Sequence, residues 1–137
     1  MRITVVTPSF NQAPFLEETI TSVLTQDYKN VEYLVTDGGS TVGSLEIIRR
    51  YANQIFQGRS AQMADRPPQT PKDLGLRPVK YFWWQNSDDT LRPGALSKVV
   101  AFFRRYPECE VVSGGAVLID ERSSVCKSLV RPYTLGL

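Results

Sequence analysis

Two adjacent carboxylates, Asp88 and Asp89, are the residues of this sequence with the clearest capacity for chemistry. They follow the aromatic run at 80–84 and precede Pro93, a residue type typical of the first turn of a helix. Adjacent negative charges repel each other unless a cation lies beside them, and Mg²⁺ and Mn²⁺ prefer carboxylate oxygens while leaving positions for phosphate oxygens. The pair therefore indicates either a divalent metal site or a polar turn whose aspartates cap the next helix.

Asp37 opens a second polar segment that runs through two glycines to Ser40. Its carboxylate could accept an N–H of a ligand, which the glycines would allow to approach the backbone closely. It could equally bond the backbone of its own turn. A third segment, residues 8–12, carries the loop amides of Asn11 and Gln12. Loop amides are common, so these two are candidate ligand contacts only because they are expected to lie near Asp37.

Each of these segments follows a predicted strand. Residues 3–7 form a β-branched run that Pro8 stops, residues 31–36 form a second strand, and the aromatic run forms a third. Between the strands, apolar residues recur at helical spacing in three places. The predicted apolar faces are Leu16, Ile20, Val23 and Leu24 after Pro14; Leu45, Ile48 and Ala52; and Leu96, Val99, Val100 and Phe103 after Pro93.

The order strand–helix–strand–helix predicts an α/β domain whose first two strands are parallel. In open parallel sheets, ligands bind beyond the carboxyl ends of the strands, so the segments that begin at Pro8 and Asp37 should face one crevice. Because helices cover both faces of such a sheet, Trp83 and Trp84 are both expected to be buried.

The pattern breaks at residues 56–78, where four of the nine prolines stand without an apolar period. A sheet interior does not tolerate so many missing N–H donors, so this stretch is predicted to be a disordered or irregular insert. Further strands are expected at 111–113 and 116–119. The sequence thus predicts one domain over residues 1–121 and an irregular tail over residues 122–137.

The composition excludes several classes of function. There is no histidine, which rules out Ser-His-Asp triads, Cys-His pairs and His-ligated metals. A net charge of +2 is too small to argue for a nucleic-acid partner, and no apolar run is long enough to span a bilayer. Cys109 and Cys126 form neither a CxxC motif nor a disulfide framework. With no signal peptide predicted, a cytoplasmic protein with reduced thiols is expected.

Together, the polar segments and their flanking elements resemble bacterial family 2 glycosyltransferases. The resemblance covers residues 1 to about 55 and about 80 to 120. The opening of the family is similar to residues 5–12, 15–16, 22–27, 31–33 and 37–41 of this chain. Residues 86–90, followed by residues 93–96, resemble the family's metal-binding "DXD" segment and the helix behind it.

The resemblance implies a GT-A fold whose Rossmann-like half binds a nucleoside diphosphate sugar, usually a uridine one, for inverting transfer to an acceptor hydroxyl. A saccharide or lipid-linked acceptor, at the inner face of the membrane, would suit cell-envelope polysaccharide synthesis. By position, Pro8 would line the base pocket, Asp37 would accept from the nucleobase, and Asp88 would lie near the ribose or sugar. Asp89 would coordinate Mn²⁺ or Mg²⁺ on the diphosphate. The other implied contacts to the nucleotide sugar are Thr7, Ser9, Asn11 and Gly38.

Three departures from the family pattern bear on activity. Val42 stands where the family usually has Asp, and the proline-rich stretch replaces a strand, an acidic turn and a Gly-Gln-rich helix. The family's acceptor half, with its base carboxylate, would follow residue 120, whereas the sequence stops at Leu137, so a truncated chain is expected. Asp120 and Glu121 are interpreted as a turn, and no catalytic base is identified.

Three functions remain open at this stage. The chain is a glycosyltransferase, a non-catalytic nucleotide-binding remnant of one, or a nucleotidyltransferase with a similar α/β crevice and acidic metal site. The third is disfavoured because residues 7–13 lack a glycine-rich phosphate loop with a basic residue. Between the first two, the missing base carboxylate favours loss of activity.

Overall fold

A computed structural model describes residues 1–41, 43–57, 80–120 and 122–129. The chain divides into two compact units, Met1–Phe102 and Phe103–Leu137, a boundary that lies before the predicted one at residue 121. Val42 and residues 58–78 of the predicted insert lie outside the described residues. Phe56 and Gln57, the first two residues of the predicted insert, form a short strand, which the prediction of an irregular insert missed.

A four-stranded parallel sheet organises the first unit. Its strands are β1 (Ile3–Ser9), β2 (Val31–Asp37), β3 (Phe56–Gln57) and β4 (Tyr81–Trp84), in the order β3-β2-β1-β4. All three pairings are parallel, which confirms the predicted α/β class and the parallel pairing of the first two strands. Strand β1 is central and pairs on both sides.

Strand β1 continues through Pro8 to Ser9, although Pro8 was predicted to stop it. The backbone groups of successive strand residues point to alternate neighbours. Val6 O accepts from Gln85 N at 2.9 Å, and Ser9 O accepts from Gly38 N at 2.8 Å, so Pro8 faces the β4 side. Because β4 has already ended at Trp84, the missing N–H of Pro8 costs no ladder hydrogen bond.

Three helices pack on the sheet: α1 (Ala13–Leu24), α2 (Ser44–Arg50) and α3 (Ala95–Arg105). The predicted apolar face of α1 is confirmed at Leu16, Ile20 and Val23, which are buried. The predicted face of α2 is confirmed at Ile48 and wrong at its other two residues: Leu45 is 39% exposed, Ala52 lies beyond the helix, and Ile47 is the second buried apolar residue. Two turns are too short for spacing alone to define a face.

The main hydrophobic cluster lies on one face of the sheet, while Val6 and Leu34 are buried on the other face. Ile3 and Val5 of β1 and Tyr33 and Val35 of β2 join the buried apolar residues of all three helices in a single cluster. Trp83 packs against this cluster, whereas Trp84 projects from the opposite face and is 40% exposed. The prediction that both tryptophans are buried is therefore wrong for Trp84. Within the described residues, helices cover one face of the sheet and not both.

The second unit contains an antiparallel hairpin of β5 (Ala116–Ile119) and β6 (Val125–Leu129). Strand β6 corrects the predicted irregular tail, because residues 125–129 pair with β5. No strand forms at 111–113, where Val111 is 83% exposed. Asp120 Oδ1 accepts from Arg122 N and Ser124 N, both at 2.9 Å, which confirms the turn interpretation of Asp120.

The fold makes Leu16 a test of the core, because its side chain is fully buried between α1 and the sheet. Replacing it with alanine should lower the free energy of unfolding by about 2–5 kcal/mol, since a cavity adds to the lost burial. The matched variant Leu45→Ala, in the exposed part of α2, should cost less than about 1 kcal/mol. Urea unfolding would measure both, and equal losses would contradict the assigned core.

Candidate functional site

The predicted polar segments meet at the carboxyl edge of the sheet. Strands β1 and β2 end in register at Ser9 and Asp37, and β4 ends at Trp84, beside Val6 of β1. The segment that follows each strand therefore leaves the sheet at the same edge. Parallel pairing thus gathers the two segments predicted to face one crevice and brings the acidic segment to the same edge.

The Asp37 carboxylate is bound by its own loop. Oδ2 accepts from Gly39 N at 2.9 Å and from Ser40 N at 2.8 Å, while Oδ1 accepts from the Ser40 hydroxyl. Gly39 has φ +91°, a conformation in which a β-carbon would be strained. The interpretation of Asp37 as a turn aspartate is confirmed, and the turn holds its nearly buried carboxylate in one orientation.

Asn11 joins the loop after β1 to the loop after β2. Its backbone N donates to Ser40 Oγ at 2.9 Å, and its side-chain Oδ1 accepts from Thr41 N at 3.0 Å. Asn11 adopts φ 54°, in the left-handed region that asparagine tolerates better than most residues. The same Ser40 hydroxyl donates to Asp37, so hydrogen bonds link Asn11 to Asp37 through Ser40.

The remaining predicted contacts of β1 and β2 differ in their access to a ligand. Thr7 is fully buried and its hydroxyl shares a 3.0 Å hydrogen bond with Tyr33, whose pKa burial raises to about 12. Its predicted binding role does not fit a side chain enclosed in the core. The Ser9 hydroxyl is buried and has no hydrogen-bond partner among the described residues. Pro8 and Gly38 are half-buried at the edge itself.

The acidic pair lies in a turn after β4, and both Asp88 and Asp89 are exposed. Asp89 Oδ2 accepts from Asn86 Nδ2 at 2.9 Å, and Asp89 N donates to Asn86 O at 3.3 Å. The alternative that the aspartates cap the next helix is wrong, because α3 begins only at Ala95. The turn therefore holds two charges in solvent with no capping role.

A row of polar side chains on α1 was missed by the sequence analysis. Thr19, Ser22 and Gln26 form this α1 polar stripe, and all three bond backbone groups between residues 87 and 96. Thr19 and Ser22 lie three residues apart on one side of α1, and Gln26 follows two residues beyond the end of the helix at Leu24. The spacing of these polar residues is present in the sequence, but only apolar residues were used there to define the faces of the helices.

The acidic pair has the chemistry of a partial metal site. Among the described residues, no group of three or more His, Cys, Asp and Glu side chains gathers to hold a metal ion. Mg²⁺ characteristically needs only one or two protein carboxylates when substrate phosphates and water complete its shell. The two exposed carboxylates fit that mode, in which the ligand brings the remaining oxygens, and do not fit a closed structural metal site.

Comparison with known proteins shows which protein family this chain is similar to. Residues 4–66 match the profile described as Glycosyl transferase family 2. EpsE of Bacillus subtilis (strain 168), named as a glycosyltransferase, is 31% identical over 126 residues, covering 88% of this chain and 45% of EpsE. TuaG of the same strain, named as a teichuronic acid biosynthesis glycosyltransferase, is 24% identical, covering 97% of this chain and 54% of TuaG. The chain thus spans about half the length of these relatives.

The fold has a clear counterpart among solved structures. TarS of S. aureus, crystallised in complex with UDP-GlcNAc, matches with a TM-score of 0.64 at 23% identity, over 78% of this chain and 32% of the TarS chain. The fold is the GT-A α/β fold of glycosyltransferases, as predicted. The chain is similar to glycosyltransferase family 2, as its polar segments had indicated. In the described part of the chain, none of the helices has the length and apolarity needed to cross a bilayer.

The link from Asn11 to the β2 loop is testable by two substitutions at one position. Asn11→Gly removes the bond to Thr41 but tolerates the left-handed backbone, whereas Asn11→Ala removes the bond and strains the backbone. The alanine variant should therefore be less stable than the glycine variant by about 1 kcal/mol. Urea unfolding would measure the free energy of unfolding of both variants. An alanine variant as stable as the glycine variant would contradict the left-handed backbone assigned to Asn11.

Proposed function

We propose that the carboxyl edge of β1, β2 and β4 binds a uridine diphosphate sugar with a divalent metal, for inverting transfer of the sugar to an acceptor hydroxyl. One observation carries the proposal: two pre-arranged loops and an exposed acidic pair leave the sheet at the same edge. Similarity to glycosyltransferase family 2 and the fold shared with TarS, which binds UDP-GlcNAc in its crystal, support it.

The proposed base end of the site consists of Pro8, Ser9, Asn11, Asp37 and Gly38. The Asp37 carboxylate is fixed by three hydrogen bonds from its own loop, and Oδ1, which accepts only one of them, keeps a further lone pair. A carboxylate fixed in this way accepts the imide N–H of uracil without losing side-chain freedom on binding. The unpaired hydroxyl of Ser9 supplies a second polar group at this edge.

The proposed phosphate end consists of Asp88 and Asp89. Asp89 is the metal ligand in this proposal, because Asn86 donates to Oδ2 and orients the carboxylate while the side chain stays exposed. Asp88 then lies near the ribose or the sugar. A bound Mn²⁺ or Mg²⁺ neutralises charge on the departing diphosphate.

Transfer would form a bond between the acceptor oxygen and the anomeric carbon while the bond to the diphosphate breaks, and a base would take the hydroxyl proton. Beyond Asp89, the acidic side chains that the structure describes are Glu108, Glu110 and Asp120, and Asp120 is engaged in its turn. No base is assigned among these described residues, so nucleotide binding without turnover is the second candidate function.

The proposed setting is cell-envelope polysaccharide synthesis at the cytoplasmic face of the membrane. The name of TuaG, a relative assigned to teichuronic acid biosynthesis, supports this setting. A saccharide or a lipid-linked molecule would then be the acceptor.

The metal role of Asp89 can be measured by calorimetry with UDP. Mn²⁺ should raise the affinity of the wild-type chain for UDP by roughly tenfold or more, and Asp89→Asn should abolish that increase by removing the charge at constant shape. Asp27→Asn is the matched control, because Asp27 is an exposed aspartate at the far end of α1. A Mn²⁺ effect that survives in Asp89→Asn would reject the assignment.

Turnover separates the two proposed functions. Release of UDP from UDP-sugars, with and without saccharide acceptors, should be faster for the wild type than for Asp89→Asn if the chain is a transferase. Tight UDP binding without release would instead favour the non-catalytic function. The anomeric configuration of any product, determined by NMR, tests inversion.

A further inference from the structure

We propose that the α1 polar stripe, Thr19, Ser22 and Gln26, positions the Asp88–Asp89 turn and thereby sets its affinity for metal and diphosphate. The metal part of this inference rests on the proposed function, whereas the positioning part rests on contacts within the first unit. No ligand contact is assigned to the stripe: its three residues act through the backbone of the acidic segment.

Thr19 makes the contact nearest to the acidic pair. Its side chain is fully buried, and its hydroxyl donates to Ser87 O at 2.9 Å, one residue before Asp88. A weaker contact to Phe15 O, at 3.3 Å, stays within its own helix. The Thr19 hydroxyl therefore ties the start of the acidic turn to the middle of α1.

Ser22 and Gln26 hold the chain after the turn. Leu91 N donates to Ser22 Oγ at 3.0 Å, and Gln26 Nε2 donates to Arg92 O at 3.1 Å. Gln26 Oε1 also accepts from Leu96 N at 3.3 Å, in the first turn of α3. Gln26 is only 3% exposed, so both of these hydrogen bonds are made by a side chain that is almost fully shielded from water.

A fourth side chain holds the turn from within its own segment. Gln85, also buried, accepts from Trp83 Nε1 at 3.1 Å and donates to Asp89 O at 2.8 Å. The backbone around Asp89 is thus bound by Gln85, and that around Ser87 by Thr19.

These contacts take the place of secondary structure. Residues 85–94 form neither strand nor helix, yet buried backbone groups must find partners. The α1 polar stripe supplies them, so the location of the acidic pair follows the location of α1. The arrangement leaves the two carboxylates exposed while fixing the peptide groups beneath them, as outer-shell partners fix metal ligands in other sites.

The decisive variants are two threonine-to-valine changes on the same helix. Thr19→Val keeps the shape but removes the bond to Ser87, whereas Thr21→Val removes only bonds to Glu17 O and Glu18 O within α1. Thr19→Ser restores a hydroxyl and serves as the rescue. Ser22→Ala, at a less buried position, provides a second test should Thr19→Val fail to fold.

Hydrogen exchange of the nucleotide-free chain tests positioning directly. Thr19→Val should speed exchange in residues 85–96 by about tenfold and leave residues 31–37 of β2 unchanged, while Thr21→Val and Thr19→Ser should match the wild type. Faster exchange throughout the first unit would indicate general destabilisation and overturn the proposal. Unchanged exchange in residues 85–96 would overturn it as well.

The metal effect is the second measurement. In Thr19→Val, the increase of UDP affinity on adding Mn²⁺ should fall by roughly tenfold, and the affinity without Mn²⁺ should stay within about twofold of the wild type. An unchanged Mn²⁺ effect would overturn the link to metal affinity. A wild-type chain that does not bind UDP at all would instead reject the proposed function, and the exchange experiment would still decide the positioning role.

Discussion

The candidate site depends on the parallel pairing of β1 with both of its neighbours. Strand β1 is buried at the centre of the sheet, with Val5 and Val6 completely shielded from solvent, so its register is strongly determined. Pairing with β2 brings Ser9 beside Asp37, and pairing with β4 brings Val6 beside Trp84. Both registers are needed, because a shift in either would separate the base end of the proposed site from its acidic end.

Beyond the strand ends, side-chain hydrogen bonds, and not strand pairing, hold the backbone. The loop after β2 is shaped by the Asp37 carboxylate and bonded to the loop after β1 through Ser40 and Asn11. The turn after β4 is shaped by α1 and by Gln85. In each loop, polar side chains satisfy backbone groups that no regular element can reach, which gives an irregular loop a single conformation.

In the acidic turn, the residues that hold the backbone differ from the residues proposed to bind a metal. Thr19, Gln26 and Gln85, which hold the backbone, are buried, whereas Asp88 and Asp89 are exposed. Buried hydrogen bonds resist competition from water and keep the turn in place. Exposure leaves both carboxylates accessible from solvent, which the proposed binding of a cation together with a diphosphate needs. A fixed backbone beneath free carboxylates is the property that binding a metal together with its ligand requires.

Local sequence patterns determined the class of the fold and the location of the site. β-Branched runs, helical periodicity and the polar segments after each strand predicted a parallel α/β sheet with Asp37 and Asp89 at one edge, because these signals depend on neighbours in the chain. The tertiary structure alone decided which neighbour each group meets. Pro8 stays within β1 because β4 ends before it, and Trp84, at the end of β4, is 40% exposed although its register partner Val6 is fully buried. Thr19 holds the acidic turn although 68 residues separate it from Ser87, a pairing that no local pattern contains.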